Sequence, residues 1–244
     1  MPPGRGVGIR AAVMLVAIPA CGRLDFEPIA DAMPAGCGHT FCDNFDRSTP
    51  VGAPWTAADT SGGTLVLDPS VRVSAPNGLL VDVPFPLTGA VYLTEALPRA
   101  DISIHVELDL DLEQTDATAE IDLVQVLWVP PPAPCDAFGY FFVRDDTGPL
   151  ELQETFVNCG AASSNDTFPF GVGNGFHHLA LDIQLGALGT AALQVQVDGA
   201  SVVDKLADRD VPASALELRL GAPGTRTTSV AWRIRYDNVI VDLR

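Results

Sequence analysis

Residues 101–112 alternate polar and apolar side chains without a break, from Asp101 to Leu112. Successive side chains of a β-strand point to opposite faces, so this pattern predicts a strand with one buried face and one exposed face. On a helix, the same residues would spread their apolar side chains around the whole circumference. The chain is therefore expected to contain a sheet that buries one of its faces.

Further strand-like runs follow along the chain, separated by Gly, Pro, Asp and Asn. They are Thr64–Leu67, Leu79–Val83, Ala90–Thr94, Glu120–Trp128, Phe138–Arg144, Leu150–Val157, Phe176–Leu185, Ala191–Asp198, Ala215–Leu220 and Val230–Leu243. Only Asp204–Asp210 indicates a short helix. About a dozen strands with short connections and no internal repeat predict an all-β fold, a two-sheet antiparallel jelly-roll sandwich.

The N-terminal segment has the pattern of an export signal. Arg5 and Arg10 precede a short apolar run that ends in small residues within 1–20, which is typical of a secretory signal peptide. The run is shorter than the ~20 residues that span a bilayer. Ile18-Pro19-Ala20-Cys21 resembles a bacterial lipobox, although Ile18 stands where Leu is usual. The alternative is an ordinary signal peptide with Cys21 as a spare thiol.

The lipobox resemblance implies lipid attachment at Cys21. The proline-containing segment after it is expected to be a linker over 21–36, and the strand pattern predicts one domain over 37–244. Gly22 after the cysteine implies, by resemblance to bacterial sorting rules, the outer membrane and the cell surface of a Gram-negative bacterium. The chain carries 14 basic and 31 acidic residues, a net charge of −17. Such a chain repels nucleic acid and anionic lipid, so membrane contact is expected only through the lipid anchor.

The cysteines outside the lipobox number four, which in an exported chain predicts disulfides. Cys37 and Cys42 bound a tight loop, and a local bridge is their simplest pairing. Cys135 and Cys159 lie nearly equidistant from the turn between two predicted strands, so a hairpin would place them opposite each other. A zinc site at Cys37, His39 and Cys42 is the alternative, but it lacks a fourth ligand.

Four segments of the sequence, 42–47, 175–181, 193–199 and 235–242, resemble the strands of concanavalin A-like lectin and glucanase domains. The segment 42–47, followed by Trp55, resembles the first strand of these domains in bacterial surface proteins. The segments 175–181 and 193–199 are similar to the laminin-G-like pattern of an aromatic-His strand and a strand ending in Asp-Gly, and 235–242 resembles the last strand. The resemblance implies a concanavalin A-like sandwich, a fold that carries many functions.

Glu120, Asp122 and Gln125 resemble the catalytic strand of laminarinase- and lichenase-like glycoside hydrolases, Glu-x-Asp-x-x-Glu. A β-bulge at Leu123–Val124 would bring the three side chains to one face. Gln125 stands in the acid/base position and has no proton to give, whereas retaining hydrolysis needs two carboxyl groups ~5–5.5 Å apart. We therefore expect no enzyme; if the chain is enzymatic, the resemblance assigns catalysis to Glu120 and Asp122.

Ligand binding on this strand is the remaining option for the three polar residues. Trp128, Tyr140 and Tyr92 are candidate stacking platforms for a sugar, and each is equally compatible with a place in the core.

A structural calcium is expected from the same resemblance. The last strand would supply Asp237, and carbonyl groups around Phe45 and Gly78 would complete the site. In the alternative, Asp237 caps a turn or pairs with Arg235 or Arg233. The sequence as a whole predicts an exported lipoprotein with a non-catalytic module that binds carbohydrate or a surface partner. A glycoside hydrolase-like enzyme and a purely structural envelope protein are the alternatives.

Overall fold

The computed structural model describes residues 37–48, 50–85, 89–114, 120–128, 137–144, 149–157, 164–207, 210–211, 213–223, 225–227 and 231–244. The expected signal peptide, Cys21, most of the linker and both cysteines of the expected Cys135–Cys159 bridge lie outside these residues. The described residues contain sixteen β-strands and no helix. They also contain no helix long and apolar enough to cross a membrane.

The strands are β1 (Phe41–Asp43), β2 (Ala57–Asp59), β3 (Thr64–Asp68), β4 (Gly78–Val83), β5 (Val91–Leu97), β6 (Ser103–Gln114), β7 (Glu120–Trp128), β8 (Ala137–Arg144), β9 (Leu150–Val157), β10 (Ser164–Phe170), β11 (His177–Gln184), β12 (Ala192–Val197), β13 (Ala200–Leu206), β14 (Leu216–Ala222), β15 (Thr225–Thr227) and β16 (Trp232–Leu243).

Two antiparallel sheets enclose the core. Sheet A has the order β13-β12-β11-β6-β16-β4-β3, and β1 pairs with β16. Sheet B has the order β10-β9-β8-β7-β14-β5-β2, and β15 pairs with β7. Neighbours in the sheets are not always consecutive in sequence, as expected for a jelly roll. The predicted two-sheet antiparallel sandwich is confirmed.

Most of the segment 101–112, in which polar and apolar residues alternate, forms β6. This strand lies at the centre of sheet A between β11 and β16. Ile104, Val106 and Leu108 are buried between the sheets, while His105 and Glu107 point to the outer surface. The predicted helix at Asp204–Asp210 is wrong over its first three residues, which belong to edge strand β13. Pairing with β12 outweighs the weak local helix preference of this segment.

A β-bulge interrupts β7 at the predicted place. The register between β7 and β8 shifts between Asp122 and Val124, so Leu123 has no opposite partner. The phenol of Tyr236, fully buried on β16, donates hydrogen bonds to the carbonyl oxygens of Leu123 (2.8 Å) and Gly221 (3.1 Å). Tyr236 therefore joins the two sheets at the bulge.

The N-terminal end of the domain is fixed to the last strand. Cys37 and Cys42 form a disulfide, which removes both thiols from the alternative zinc site. β1 pairs with β16, and His39 Nδ1 lies 2.9 Å from a carboxylate oxygen of Asp242 on that strand.

Candidate functional site

The outer surface of sheet B gathers polar side chains from adjacent strands. On these strands the alternate residues are buried in the core, so the residues between them face outward. We call this surface the B face. It is defined by Tyr92, Thr94, Asp122, Gln125, Phe141, Glu151, Gln153, Thr155, Glu217 and Arg219.

The B face has a continuous row across the sheet. Its members lie directly opposite each other on five adjacent strands: Thr94, Arg219, Gln125, Phe141 and Gln153. Adjacent strands lie ~4.8 Å apart, so the row places one side chain over each strand. An extended ligand lying across the strands would meet every member in turn.

Three polar atoms of the B face are buried and have no hydrogen-bond partner among the described residues. They are Gln125 Oε1, Arg219 Nε and Thr155 Oγ1. Gln125 and Thr155 are only 6% and 5% exposed. A buried polar group without a partner costs about 1–3 kcal/mol of folding free energy, and such groups commonly mark a site that water, an ion or a ligand completes.

Arg219 is held in place by two neighbours. Its Nη2 donates to Glu217 Oε2 at 2.7 Å, and its guanidinium carbon lies 5.6 Å from the ring centroid of Tyr92. Gly221 pairs with Tyr92 across the strands and has φ of +134°. A Cβ atom on Gly221 would lie 2.5 Å from the carbonyl oxygen of Val91 and 2.8 Å from Tyr92 Cα. Glycine is therefore required for this close approach of β14 to β5.

The bulge in β7 brings Asp122 and Gln125 to the B face together. Gln125 Nε2 donates to Asp122 Oδ2 at 2.8 Å, which fits the predicted grouping of these two residues. Glu120 begins β7, but its side chain lies outside the described residues. Glu120 and Asp122, the expected pair, therefore lie on the same strand, but the structure describes only the side chain of Asp122.

Trp128 and Tyr140 do not lie on the B face. They are 2% and 1% exposed, and their ring centroids are 5.8 Å apart in an edge-to-face arrangement within the core. The prediction that they are sugar-stacking platforms is wrong, because the bulge in β7 turns Trp128 inward. Tyr92 is the one of the three candidate aromatic residues that reaches the outer surface of sheet B.

Sequence reasoning did not single out Arg219, Phe141, Gln153 or Thr155. Each occupies an outward position of an alternating strand, which is the only local signal for it. Gly139 gives a further indication, since a Cβ atom there would lie 2.6 Å from Phe141 Cε1. The Phe141 ring therefore lies over Gly139 on the B face.

The expected calcium ligand Asp237 is fully buried and accepts four hydrogen bonds. Oδ2 accepts from the backbone N–H of Val73 (2.9 Å) and Ser74 (2.8 Å). Oδ1 accepts from Ser74 Oγ and the Asn238 N–H, each at 2.9 Å. A carboxylate has about four acceptor positions, and all are used. Burial raises the pKa of Asp237 to about 6.

The other expected calcium ligands lie in backbone segments that already contact other parts of the protein. The carbonyl oxygen of Phe45 accepts the Arg47 N–H at 2.8 Å, and Gly78 pairs with Asp68 in sheet A. Within the described residues, no group of three or more His, Cys, Asp or Glu side chains is arranged to hold a metal ion. These residues do not fit a calcium site; Asp237 instead anchors the loop before β4.

A second polar cluster lies on the outer surface of sheet A, beside a cavity of about 360 Å³. His105 contacts Asp182 through Nδ1 (2.7 Å) and Glu107 through Nε2 (2.8 Å). These two carboxylates raise the pKa of His105 to about 9, the hydrogen bond to Glu107 contributing most. His178 contacts Asp109 at 3.0 Å. Both histidines of this cluster contact carboxylates, whereas the B face has three buried polar atoms without a described partner, so the B face is the stronger candidate for a ligand site.

No protein-family model matches the sequence, and no curated protein matches it. Solved structures do match. An endo-β-1,4-glucuronan lyase from the fungus Trichoderma reesei has a TM-score of 0.65 and 16% identity, covering 84% of this chain and 96% of that one. The cellulose-induced protein Cip1 has a TM-score of 0.56 and 15% identity, covering 82% and 96%. The alginate lyase Aly36B has a TM-score of 0.53 and 12% identity, covering 75% and 86%. At these identities the likeness shows the fold.

The prediction that the chain is not an enzyme is contradicted, since the structures that it matches include a glucuronan lyase and an alginate lyase. The prediction depended on Gln125, which lacks the proton that a glycoside hydrolase acid must supply. Gln125 argues against that one mechanism only. A reaction that begins by removing a proton from the substrate does not need a carboxylic acid at this position.

Proposed function

We propose that this protein is a polysaccharide lyase that binds a uronate-containing chain across the B face. The observation that carries the proposal is the pair Arg219 and Gln125. They lie opposite each other on adjacent strands, and each has a buried polar atom without a described partner. Arg219 Nε is a donor suited to a carboxylate, and Gln125 Oε1 is an acceptor suited to a sugar hydroxyl.

The chemistry of a uronate gives these residues distinct roles. Removal of the proton next to the carboxylate transfers negative charge onto the carboxylate oxygens, and a fixed guanidinium stabilises that charge. The C4–O4 bond then breaks, a C4–C5 double bond forms, and the leaving oxygen takes a proton. Arg219 binds the carboxylate in this proposal. Tyr92, beside Arg219, removes the proton as the phenolate and then returns it, as the phenol, to the leaving oxygen, since a positioned tyrosine is a competent general acid or base.

Several observations support a carbohydrate ligand for this face. The neighbours in fold include lyases named for glucuronan and alginate. The B face offers amide and hydroxyl side chains next to the partly buried Phe141 ring, a combination suited to the polar edges and apolar faces of sugars. Gln125 already donates a hydrogen bond to Asp122. Hydrolysis would need Asp122 as one of two catalytic carboxyl groups, so this arrangement favours elimination.

We also propose that the protein acts at the cell surface as a lipoprotein. Support comes from the N-terminal signal pattern and the lipobox-like segment before Cys21. Incorporation of labelled fatty acid by the expressing bacterium, abolished by Cys21→Ser, is the expected result. Incorporation that is unchanged in Cys21→Ser would contradict lipid attachment at this residue.

The lyase proposal is tested with purified domain and uronate-containing polysaccharides. Formation of the unsaturated product is followed by its ultraviolet absorbance. We expect Arg219→Ala to lower the rate about 10²–10³-fold and Tyr92→Phe about 10²–10⁴-fold. Arg99→Ala is the matched control, because Arg99 is exposed and contacts only Asp101 in the described structure. Absence of unsaturated product from every uronate polysaccharide, or equal rates for all variants, would refute the proposal.

A further inference from the structure

Charge on the B face narrows the substrate class. Among the side chains that the structure describes there, Arg219 is the only cation. Asp122, Glu151 and Glu217 are the acidic members of the same face. Glu217 already contacts Arg219. The face therefore offers one guanidinium to an anionic ligand and surrounds it with carboxylates.

The sequence of strands β7 to β10 adds few cations to this side of the molecule. The sequence 120–170, which contains β7 to β10, has eight acidic residues and one basic residue, Arg144. Arg144 pairs with Ile121 and Leu150, both buried in the core, so it lies on the inner side of sheet B. Strands β7 to β10 thus present no described cation to a ligand on the B face, and the guanidinium of Arg219 comes from the neighbouring strand β14.

The remaining members of the row are neutral. Gln125, Phe141 and Gln153 follow Arg219 on the next three strands. Thr155 lies beside this row with an unpartnered, buried hydroxyl. Amides and hydroxyls exchange hydrogen bonds with sugar hydroxyls, and an aromatic ring stacks on the apolar face of a sugar. This part of the B face therefore suits uncharged sugars.

The spacing of the sheet relates these residues to a glycan. A hexopyranose unit in an extended chain is about as long as the ~4.8 Å spacing of adjacent strands, so a glycan lying across sheet B places about one sugar over each strand. A polymer with a carboxylate on every sugar would set negative charges over Asp122 and Glu151. Like charges placed face to face across an interface disfavour binding.

We infer that the substrate is a heteropolysaccharide in which single uronates are separated by neutral sugars, with one uronate at Arg219 and neutral sugars over Gln125, Phe141 and Gln153. This inference rests on the proposed function and specifies its substrate. It also agrees with the net charge of −17 for the whole chain, which repels a polyanion of high charge density.

The test compares binding and product formation for four probes. Gellan carries one uronate among neutral sugars, and carboxyl-reduced gellan is its matched neutral form. Glucuronan and alginate carry a carboxylate on every sugar. We expect gellan to bind at least about tenfold more tightly than the other three, since one like-charge contact or one lost ion pair is worth that much. Arg219→Ala should bind gellan and carboxyl-reduced gellan equally, while Asp101→Asn, outside the B face, should behave as wild type.

The outcomes separate the inference from the proposed function. Cleavage of glucuronan or alginate at least as efficient as that of gellan would overturn the inference and leave the lyase proposal intact. Equal binding of gellan and carboxyl-reduced gellan by wild type would show that Arg219 does not bind a carboxylate, and would also overturn the inference. No cleavage of any of the three uronate polymers would overturn both. In Glu151→Gln, we expect weaker discrimination between gellan and glucuronan.

Discussion

The hydroxyl of Tyr236 is expected to contribute measurably to stability because it joins the two sheets. It donates to the carbonyl oxygens of Leu123 and Gly221 at 2.8 and 3.1 Å from a fully buried position. Tyr236→Phe keeps the ring and removes only this donor. The carbonyl of Leu123 belongs to the bulge and loses a hydrogen bond in a place without solvent. Leaving a buried acceptor unsatisfied costs about 1–3 kcal/mol.

A loss of about 2 kcal/mol corresponds to a fall in Tm of about 4–8 °C for a domain of this size. Differential scanning calorimetry of wild type and Tyr236→Phe measures it directly. Tyr92→Phe is the matched control, because the same atom is removed from the partly exposed B face, and its stability should change by no more than about 0.5 kcal/mol. Equal melting temperatures for wild type and Tyr236→Phe would refute the reasoning that the phenol holds the bulge.

Three further results are expected. Gly221→Ala should destabilise the domain by about 1–3 kcal/mol, because Gly221 has a positive φ and an added Cβ atom would lie 2.5 Å from a carbonyl oxygen. Gly189 also has a positive φ, but an added Cβ atom there would meet nothing within 4 Å. Urea unfolding should therefore show a smaller loss of stability for Gly189→Ala. The pKa of His105 is about 9 in the folded protein and about 6.5 in the unfolded chain. Protonated His105 therefore contributes its whole stabilising free energy below pH 6.5, and this contribution is lost as the pH rises through 9. NMR titration should show a lower pKa of His105 in Asp182→Asn. Chelator should leave the melting temperature unchanged, since the carboxylate of Asp237 is occupied by four protein donors; a fall on chelation would contradict that assignment.

Local sequence pattern was sufficient for the bulge and for most of the strands, but no predicted strand covers β2, β10, β13 or β15. The alternation in β6 is a property of consecutive residues, and it predicted which face of that strand is buried. The bulge was predictable because the apolar residues on either side of Leu123 require the same face, and one extra residue reconciles them. Asp204–Leu206 shows the limit of local pattern, because pairing of an edge strand with β12 decides its conformation.

The composition of the B face could not be predicted in the same way. Arg219 and Gln125 are distant in sequence, and they become neighbours only through the register of β14 on β7. No local pattern encodes that register. The same limit explains the error at Trp128 and Tyr140, since an aromatic residue in a strand suits either face. Asp237 likewise has the residue type of a calcium ligand, and only the four donors around it show its structural role.

The two outer faces of the sandwich differ in how their polar groups are satisfied. On sheet A, His39, His105 and His178 each contact a carboxylate, so that surface is stable without a ligand. On the B face, buried atoms of Gln125 and Arg219 lack described partners, at a cost of about 1–3 kcal/mol each. A ligand that supplies the missing hydrogen bonds recovers this free energy and raises stability by mass action. The variant Gln125→Ala lacks the buried oxygen that has no hydrogen-bond partner, so a ligand has less free energy to recover in it. A bound saccharide should therefore raise the melting temperature of wild type more than that of Gln125→Ala.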